Sequence, residues 1–307
     1  MSVPVCVLGL GLIGGSVLRA ASVTGREVRG YNRSGVAAAD GFDVSSDLAA
    51  VLRRASAEDA LVVVAVPMTA VAAVLAAVAE HAPRCALTDA VSVKAAVAEA
   101  VAQHGLSGRY VGGHPMAGTA ESGWAASDAA LFHGAAWVVA ADDGLDVEVW
   151  QMVAQLALDC GAHVVPASAA EHDRAVARIS HLPHVLAAVL AAVGDDGGEL
   201  ALSLAAGSFR DGTRVAGTRP ALVRAMCEAN DGALLQAMDD AMARLSTARE
   251  SLRDDGSLAE VIGSGHDARL RLDGLARHTI TDLDFAAPDV MAQLRAAGRA
   301  GGALRAW

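Results

Sequence analysis

The first two dozen residues commit the chain to a strand, a glycine turn and a helix. Val3-Pro-Val-Cys-Val-Leu8 is an apolar run that passes directly into Gly9-Leu-Gly11-Leu-Ile-Gly14-Gly-Ser, and a helical pattern continues from Val17 to Ser22. This is the G-x-G-x-x-G fingerprint in its required strand-turn-helix setting. Gly9 permits the tight turn, Gly11 lets a pyrophosphate approach the backbone, and Gly14 allows close packing of helix on strand. Leu12 and Ile13, inside the loop, present amides at the helix N-terminus, where donors and the positive end of the dipole favour an anion. The fingerprint therefore predicts a dinucleotide-binding domain.

The second strand, Glu27-Val-Arg-Gly-Tyr31, ends at Asn32-Arg33. An NAD-binding chain usually places an acid here for the ribose hydroxyls, whereas an arginine can pair with a 2′-phosphate. The cofactor is thus expected to be NAD or NADP, with NADP favoured; a solvated surface charge is the alternative for Arg33. Asp59 to Pro67 is a third buried strand stopped by proline, with Pro67 a further cofactor-contact candidate, and an alanine-rich helix runs to about Glu80. Ala86-Leu-Thr-Asp89 is the next strand, and Ala90 to Lys94 turns into a helix. Strands at Ala136 to Ala140 and Ala162 to Pro166 flank a helix around Val149 to Leu158. Alternation of this kind makes an α/β Rossmann-type doubly wound sheet.

Tyr110-Val-Gly-Gly-His114-Pro-Met-Ala-Gly-Thr119 reads as a short buried strand whose carboxyl end delivers one imidazole. Open α/β sheets bind ligands outside those ends, and a histidine there is a candidate acid or base. A histidine satisfied by backbone groups is the plainer alternative.

Beyond Ala169 the strands vanish. A long helix from Ala170 to Val193, interrupted by Pro183, carries His172, Asp173, His181 and His184. At 100° per residue Asp173 and His184 are nearly eclipsed, with His181 some 60° away, so the group reads as hydrogen-bonding residues for a polar substrate. No H-E-x-x-H or Cys/His spacing supports a metal, and none is expected. Arg210 and Arg214 lie in a segment, 207–220, read as irregular; either suits a carboxylate, or an ordinary ion pair. Helices resume at Pro220 to Glu228 and from about Gly232 to Leu252. There Leu235, Met238, Met242, Leu245 and Leu252 form an apolar seam, either internal core or a homodimer interface. The expected division is a dinucleotide-binding domain, 1–168, and an all-α substrate and dimerisation domain, 169–307.

Composition narrows the partners. Hydrophobic residues make up 53% and aromatics 3%, so the core must be built from small aliphatics, while a net charge of −11 disfavours nucleic acid and anionic membranes. Cys6, Cys85, Cys160 and Cys227 are scattered without a CxxC pair, and no apolar stretch escapes interruption by charges, glycine or proline. The expectation is a soluble cytoplasmic protein.

Taken in order, the glycine fingerprint, Thr88-Asp-Ala-Val-Ser92-Val-Lys94, His114-Pro-Met-Ala-Gly-Thr119, His172-Asp173, Ser180-His-Leu-Pro-His184 and Gly212-Thr-Arg214 resemble the prephenate/arogenate dehydrogenase family of tyrosine biosynthesis, most like its actinobacterial members. The resemblance runs from residue 3 to about 250. It implies NAD(P)-dependent oxidative decarboxylation, giving 4-hydroxyphenylpyruvate or L-tyrosine, at a site between a nucleotide-binding and a helical dimerisation domain. It also implies roles: His114 accepts a hydrogen bond from the substrate's C4 hydroxyl, Ser92 orients that pair, and Lys94 lies nearby. Arg214 holds a substrate carboxylate, and Thr119 and His184 complete the pocket. Val223 stands where many prephenate-specific members carry tryptophan, and Asn32-Arg33 replaces the aspartate of NAD-specific ones. No regulatory ACT-type domain and no chorismate mutase segment are expected. The rivals are another 6-phosphogluconate-dehydrogenase-like oxidoreductase, disfavoured because no lysine follows Lys94, and a non-catalytic nucleotide-sensing protein.

Overall fold

The computed structural model describes residues 3–34, 41–119, 121–281 and 283–306. They form two units. A sheet unit takes the described residues through His172 and again from His278 onward, and a helical unit takes Asp173–Arg277.

In the sheet unit, β1 (Val5–Leu8), β2 (Val28–Tyr31), β3 (Asp43–Ser45), β4 (Leu61–Val64) and β5 (Leu87–Asp89) form a parallel sheet in the order β3-β2-β1-β4-β5. Helices α1 (Leu12–Val23), α2 (Leu48–Ala57), α3 (Met68–His81) and α4 (Ala95–Gln103) alternate with the strands. All residues of β1 and β4 are buried, as sheets covered on both faces require. The strand order reverses between β1 and β4, the switch point where such sheets bind ligands.

The chain then leaves the parallel pattern. Tyr110 bridges Leu87 in parallel, and the Val111 amide donates to the Leu87 carbonyl at 3.0 Å, so this segment extends the first sheet. It continues as β6 (Gly113–Pro115), which pairs antiparallel with β7 (Ala136–Ala140); β7 in turn pairs parallel with β8 (His163–Ala167) across α5 (Val147–Asp159). Asp146 caps α5, its carboxylate accepting from the amides of Glu148 and Val149.

The helices that follow are α6 (Ala169–Val176), α7 (Leu182–Asp196), α8 (Gly198–Ser203), α9 (Gly207–Thr213), α10 (Pro220–Glu228), α11 (Asp231–Asp255) and α12 (Ala259–Asp273). The division between units falls inside α6. Ser168 and Glu171 start that helix with a reciprocal cap: the Ser168 hydroxyl accepts from the Glu171 amide, and the Glu171 carboxylate accepts from the Ser168 amide. A π-helical turn, Ala177–His181, joins α6 to α7. It sits just before Pro183, where a widened turn relieves the clash of the ring with the carbonyl four residues back. The interruption expected at Pro183 is therefore a bulge in a continuous helix. Because the π turn breaks the 100° step, the eclipsing inferred for Asp173 and His184 does not carry across it. The whole run Ala169–Asp196 is 28 residues with hydropathy 1.6 in its most apolar window, so by length and composition one helix could cross a membrane.

The segment 207–220 is also more regular than expected, with α9 followed by a 3-10 turn, Arg214–Gly217. Glycines allow it. A Cβ on Gly194 would lie 2.5 Å from the Phe209 ring, and one on Gly212 would lie 2.9 Å from Leu190. Close packing on α7 thus offsets poor helix propensity.

The tail departs from the expected boundary. Residues from 278 onward, assigned to the helical domain by sequence, belong to the sheet unit through β9 (His278–Thr279), α13 (Val290–Arg299) and β10 (Gly302–Ala303). Ile280, Val290, Met291, Leu294 and Leu304 join the core that contains Trp137 and Trp150, and Phe285 packs on Trp150 with ring centroids 5.8 Å apart. Leu304 and Val164 exchange both backbone hydrogen bonds, closing the edge of β8. A Cβ on Gly298 would fall 1.9 Å from the Pro166 carbonyl oxygen, so glycine alone lets α13 lie on that strand.

Candidate active site

The glycine loop leaves β1 at the switch point. Gly9 has φ +100°, and a Cβ there would sit 2.7 Å from the Ala65 carbonyl oxygen; one on Gly14 would sit 1.9 Å from that of Gly9. These two glycines are demanded by the protein's own packing. Gly11 is different, since a Cβ there meets nothing within 4 Å. Its missing side chain leaves room for something outside the chain. α1 has no acidic residue in its first turn, and the first amides of a helix, here those of Leu12 and Ile13, have no intrahelical acceptor. The loop therefore fits a dinucleotide pyrophosphate. Exposed Pro67 caps α3 on the other side of the switch.

At the end of β2, the Asn32 side-chain oxygen accepts from the Leu10 amide at 3.2 Å. Asn32 thus ties the β2 end to the glycine loop and keeps Nδ2 as its donor. Arg33 is exposed.

His114 lies in β6 opposite Val138 and is half-buried. Its Nδ1 is 2.8 Å from Nε2 of His172, with the rings nearly perpendicular at 75°. His172 itself is 3% exposed. By sequence His172 belongs to the group expected to grip a polar substrate; its contact with His114, 58 residues away, leaves no local signal.

A buried ionic cluster underlies this strand. Lys94 donates to the Asp89 carboxylate and to the Gly113 carbonyl, the latter at 2.6 Å. The other Asp89 oxygen accepts from the Tyr110 hydroxyl at 2.7 Å and from the Gly113 amide at 3.3 Å. Lys94 and Asp89 are 1% and 0% exposed. The lysine grouped with the catalytic residues is thus embedded, and its ammonium holds the residue preceding His114. Ser92, in the turn between β5 and α4, is half-buried, while Thr119 is exposed and its hydroxyl accepts from the Glu121 amide.

On the helical unit, Asn230 Nδ2 donates to the Asp173 carbonyl at 2.8 Å and contacts His181 Nδ1 at 3.2 Å. Because this amide nitrogen is a donor, the His181 nitrogen accepts. Asp173 and His181 are buried, at 6% and 0% exposure, which suits a local framework. His184 is half-buried, and its Nδ1 is a buried atom with no hydrogen-bond partner among the described residues. Arg210 and Arg214 are exposed, and neither enters an ion pair among the described residues. The ordinary ion pair that was the alternative for these arginines is therefore not formed among the described residues.

Burial pushes the Cys6 and Cys160 thiols up to about 12, which keeps thiolate chemistry away from this unit. Among the described residues, no three His, Cys, Asp or Glu side chains are grouped to hold a metal.

Comparison with known proteins shows the family. Residues 17–166 match the family model described as the prephenate dehydrogenase nucleotide-binding domain, and residues 168–262 match the one described as its dimerization domain. A prephenate dehydrogenase of Bacillus subtilis is 33% identical over 249 residues, covering 77% of this chain and 66% of that protein. A cyclohexadienyl dehydrogenase of Zymomonas mobilis is 31% identical over 285 residues, covering 87% and 95%. This chain therefore spans just under two thirds of the Bacillus relative's length. The crystal structure of a Corynebacterium glutamicum protein, provisionally described as a prephenate dehydrogenase, superposes with a TM-score of 0.92 at 50% identity, covering 99% of each chain.

Proposed function

The chain belongs to the prephenate dehydrogenase family, and from that premise we propose that it oxidatively decarboxylates prephenate or arogenate, with NADP preferred over NAD. The observation that carries the reading is His114, presented on β6 with one ring nitrogen engaged by buried His172.

The substrate is a cyclohexadiene with a hydroxyl at C4 and a carboxylate at C1. Loss of carbon dioxide from C1 with hydride from C4 makes the ring aromatic, which supplies the driving force. Bound NAD(P) supplies the nicotinamide acceptor for that hydride. His114 takes the C4 hydroxyl proton as the carbon acquires carbonyl character, so its contribution is greatest in the transition state. Ser92 orients the hydroxyl and imidazole, and Lys94 acts beneath them by fixing the Gly113 backbone. Arg214, without an ion pair among the described residues, offers a bidentate clamp for a carboxylate; His184, whose Nδ1 has no hydrogen-bond partner among the described residues, and Thr119 serve the side-chain end. Gly9, Gly11, Leu12, Ile13 and Gly14 hold the pyrophosphate, with Pro67 across the switch. Arg33 offsets a 2′-phosphate.

The exposed seam of α11 and the apolar face of α7 are covered by a second copy of the chain, and the protein works as a cytoplasmic homodimer. The decisive assay supplies prephenate or arogenate with NAD or NADP and follows the near-ultraviolet absorbance of the reduced nicotinamide. Turnover with either substrate is expected, and His114→Asn should lower kcat by roughly 10²–10⁴-fold with coenzyme affinity retained. No reduction with any of the four pairs would end the proposal.

A further inference from the structure

We propose that His172 is a positioning residue that sets the tautomer of His114; the inference rests on the reading of His114 as the proton acceptor. The contact from His114 Nδ1 to His172 Nε2 is 2.8 Å, a hydrogen bond that requires one proton between two ring nitrogens. Two neutral arrangements are open to it. If His172 donates, His114 carries its own proton on Nε2, and that nitrogen cannot accept another. If His114 donates through Nδ1, its Nε2 keeps a lone pair and can take the substrate's proton. Only the second arrangement is competent, and the hydrogen bond at one nitrogen decides the state of the other.

The mounting of His172 suits this task. It lies in the first turn of α6, whose start is held from several sides. Ser168 and Glu171 cap each other, the Asp142 carboxylate accepts from the Ala169 amide at 3.0 Å, and Arg299 of α13 donates to Glu171 at 2.7 Å. The His172 amide donates to the Ser168 carbonyl at 2.9 Å. At 3% exposure the imidazole is shielded from water that would compete for the Nδ1 proton. When His114 becomes imidazolium, the bond to His172 becomes charge-assisted, so it strengthens as the proton moves. His114 sits in a strand fixed by Lys94 and Asp89, so each partner of the pair stands on its own rigid support.

The first test needs no substrate. Nitrogen-15 correlation spectra of histidine-labelled protein, with His114 assigned by the signals lost in His114→Asn, should show its proton on Nδ1. A proton on Nε2 in the wild type would overturn the proposal. Kinetics supply the second test. His172→Leu removes the acceptor and should lower kcat by roughly 10–10²-fold, short of the ~10⁴-fold cost of an enforced wrong tautomer in a serine protease triad, with both Michaelis constants near wild type. His172→Gln restores an acceptor oxygen and should recover most of the loss. Equal losses in Leu and Gln, or a loss confined to Michaelis constants, would count against tautomer control. Should His114→Asn keep full turnover, the acceptor reading of His114 fails, while the spectra still report which nitrogen bears the proton.

Discussion

The two units solve the burial problem differently. In the sheet unit the apolar residues close on themselves, and the main core cluster lies wholly within it. In the helical unit they do not. Of the 19 large hydrophobic side chains exposed among the described residues, all but Val23 lie between residues 173 and 277. Its buried apolar residues are few and mostly small, Val176, Ala177, Ala187, Cys227, Leu234 and Ala237. A unit so furnished is shaped for association, whereas the sheet unit buries its apolar surface within itself.

The largest expected effect lies on the exposed seam of α11. Met242 and Leu245 are each 61% exposed. Burial of such side chains contributes about 1.5–3 kcal/mol each, and a twofold interface counts each of them twice. Met242→Lys with Leu245→Lys should therefore give a monomer by light scattering at micromolar concentration, with coenzyme affinity of the sheet unit unchanged. A persistent dimer would show that the seam is not the interface.

The next largest effect lies inside the sheet unit. Lys94→Met leaves Asp89 buried without its cation and should cost about 3–5 kcal/mol in denaturant unfolding, whereas pairing it with Asp89→Asn should recover much of the loss. If the single variant is as stable as wild type, the cluster is not what holds the His114 strand.

Smaller again is coenzyme choice. Arg33→Ala should raise the Michaelis constant for NADP by about tenfold, or ~1.4 kcal/mol, and that for NAD much less. Equal changes would assign Arg33 to solvent.

The smallest effect is at the junction. Burial raises the Glu171 carboxyl, but the Ser168 amide, Arg299 and the Ser168 hydroxyl outweigh it and bring it to about 2, from an ordinary 4.5. Because folding lowers this value, its stabilisation is complete above pH 4.5 and drains away as pH falls toward 2. With solvent screening through exposed Arg299, Glu171→Gln should cost about 1 kcal/mol at pH 7, and the gap to wild type should close near pH 2. A gap constant across that range would assign the cost to something other than charge.

The sheet unit was also the more legible from sequence. Strands β1 and β4 are continuous apolar runs stopped by glycine and proline, and Ala136–Ala140 has the expected bounds, whereas β3, Asp43–Ser45, carries no such signal. α2 was missed because only Val51, Leu52 and Ala55 are buried along it, too short a stripe to stand out among alanines. The tail was unreadable for another reason: its elements are short and make sense only against β8 and Trp150. At the site, the residue types could be named, but not their standing. Nothing local shows that Lys94 is sealed against Asp89, that Asn32 braces Leu10, or that His172 reaches His114. Those are facts of tertiary contact, and periodicity does not encode them.

The return of residues from 278 onward to the sheet unit also has a consequence in time. During synthesis, at ~5–20 residues per second, the helical stretch between His172 and His278 occupies the ribosome for roughly 5–20 s. Throughout that interval β8 waits with the edge that Leu304 will close still open, and Trp150 lacks Phe285. A nascent sheet with a bare edge is a template for pairing with other chains, so that interval, ended only when the tail docks, is when this protein is most exposed to aggregation.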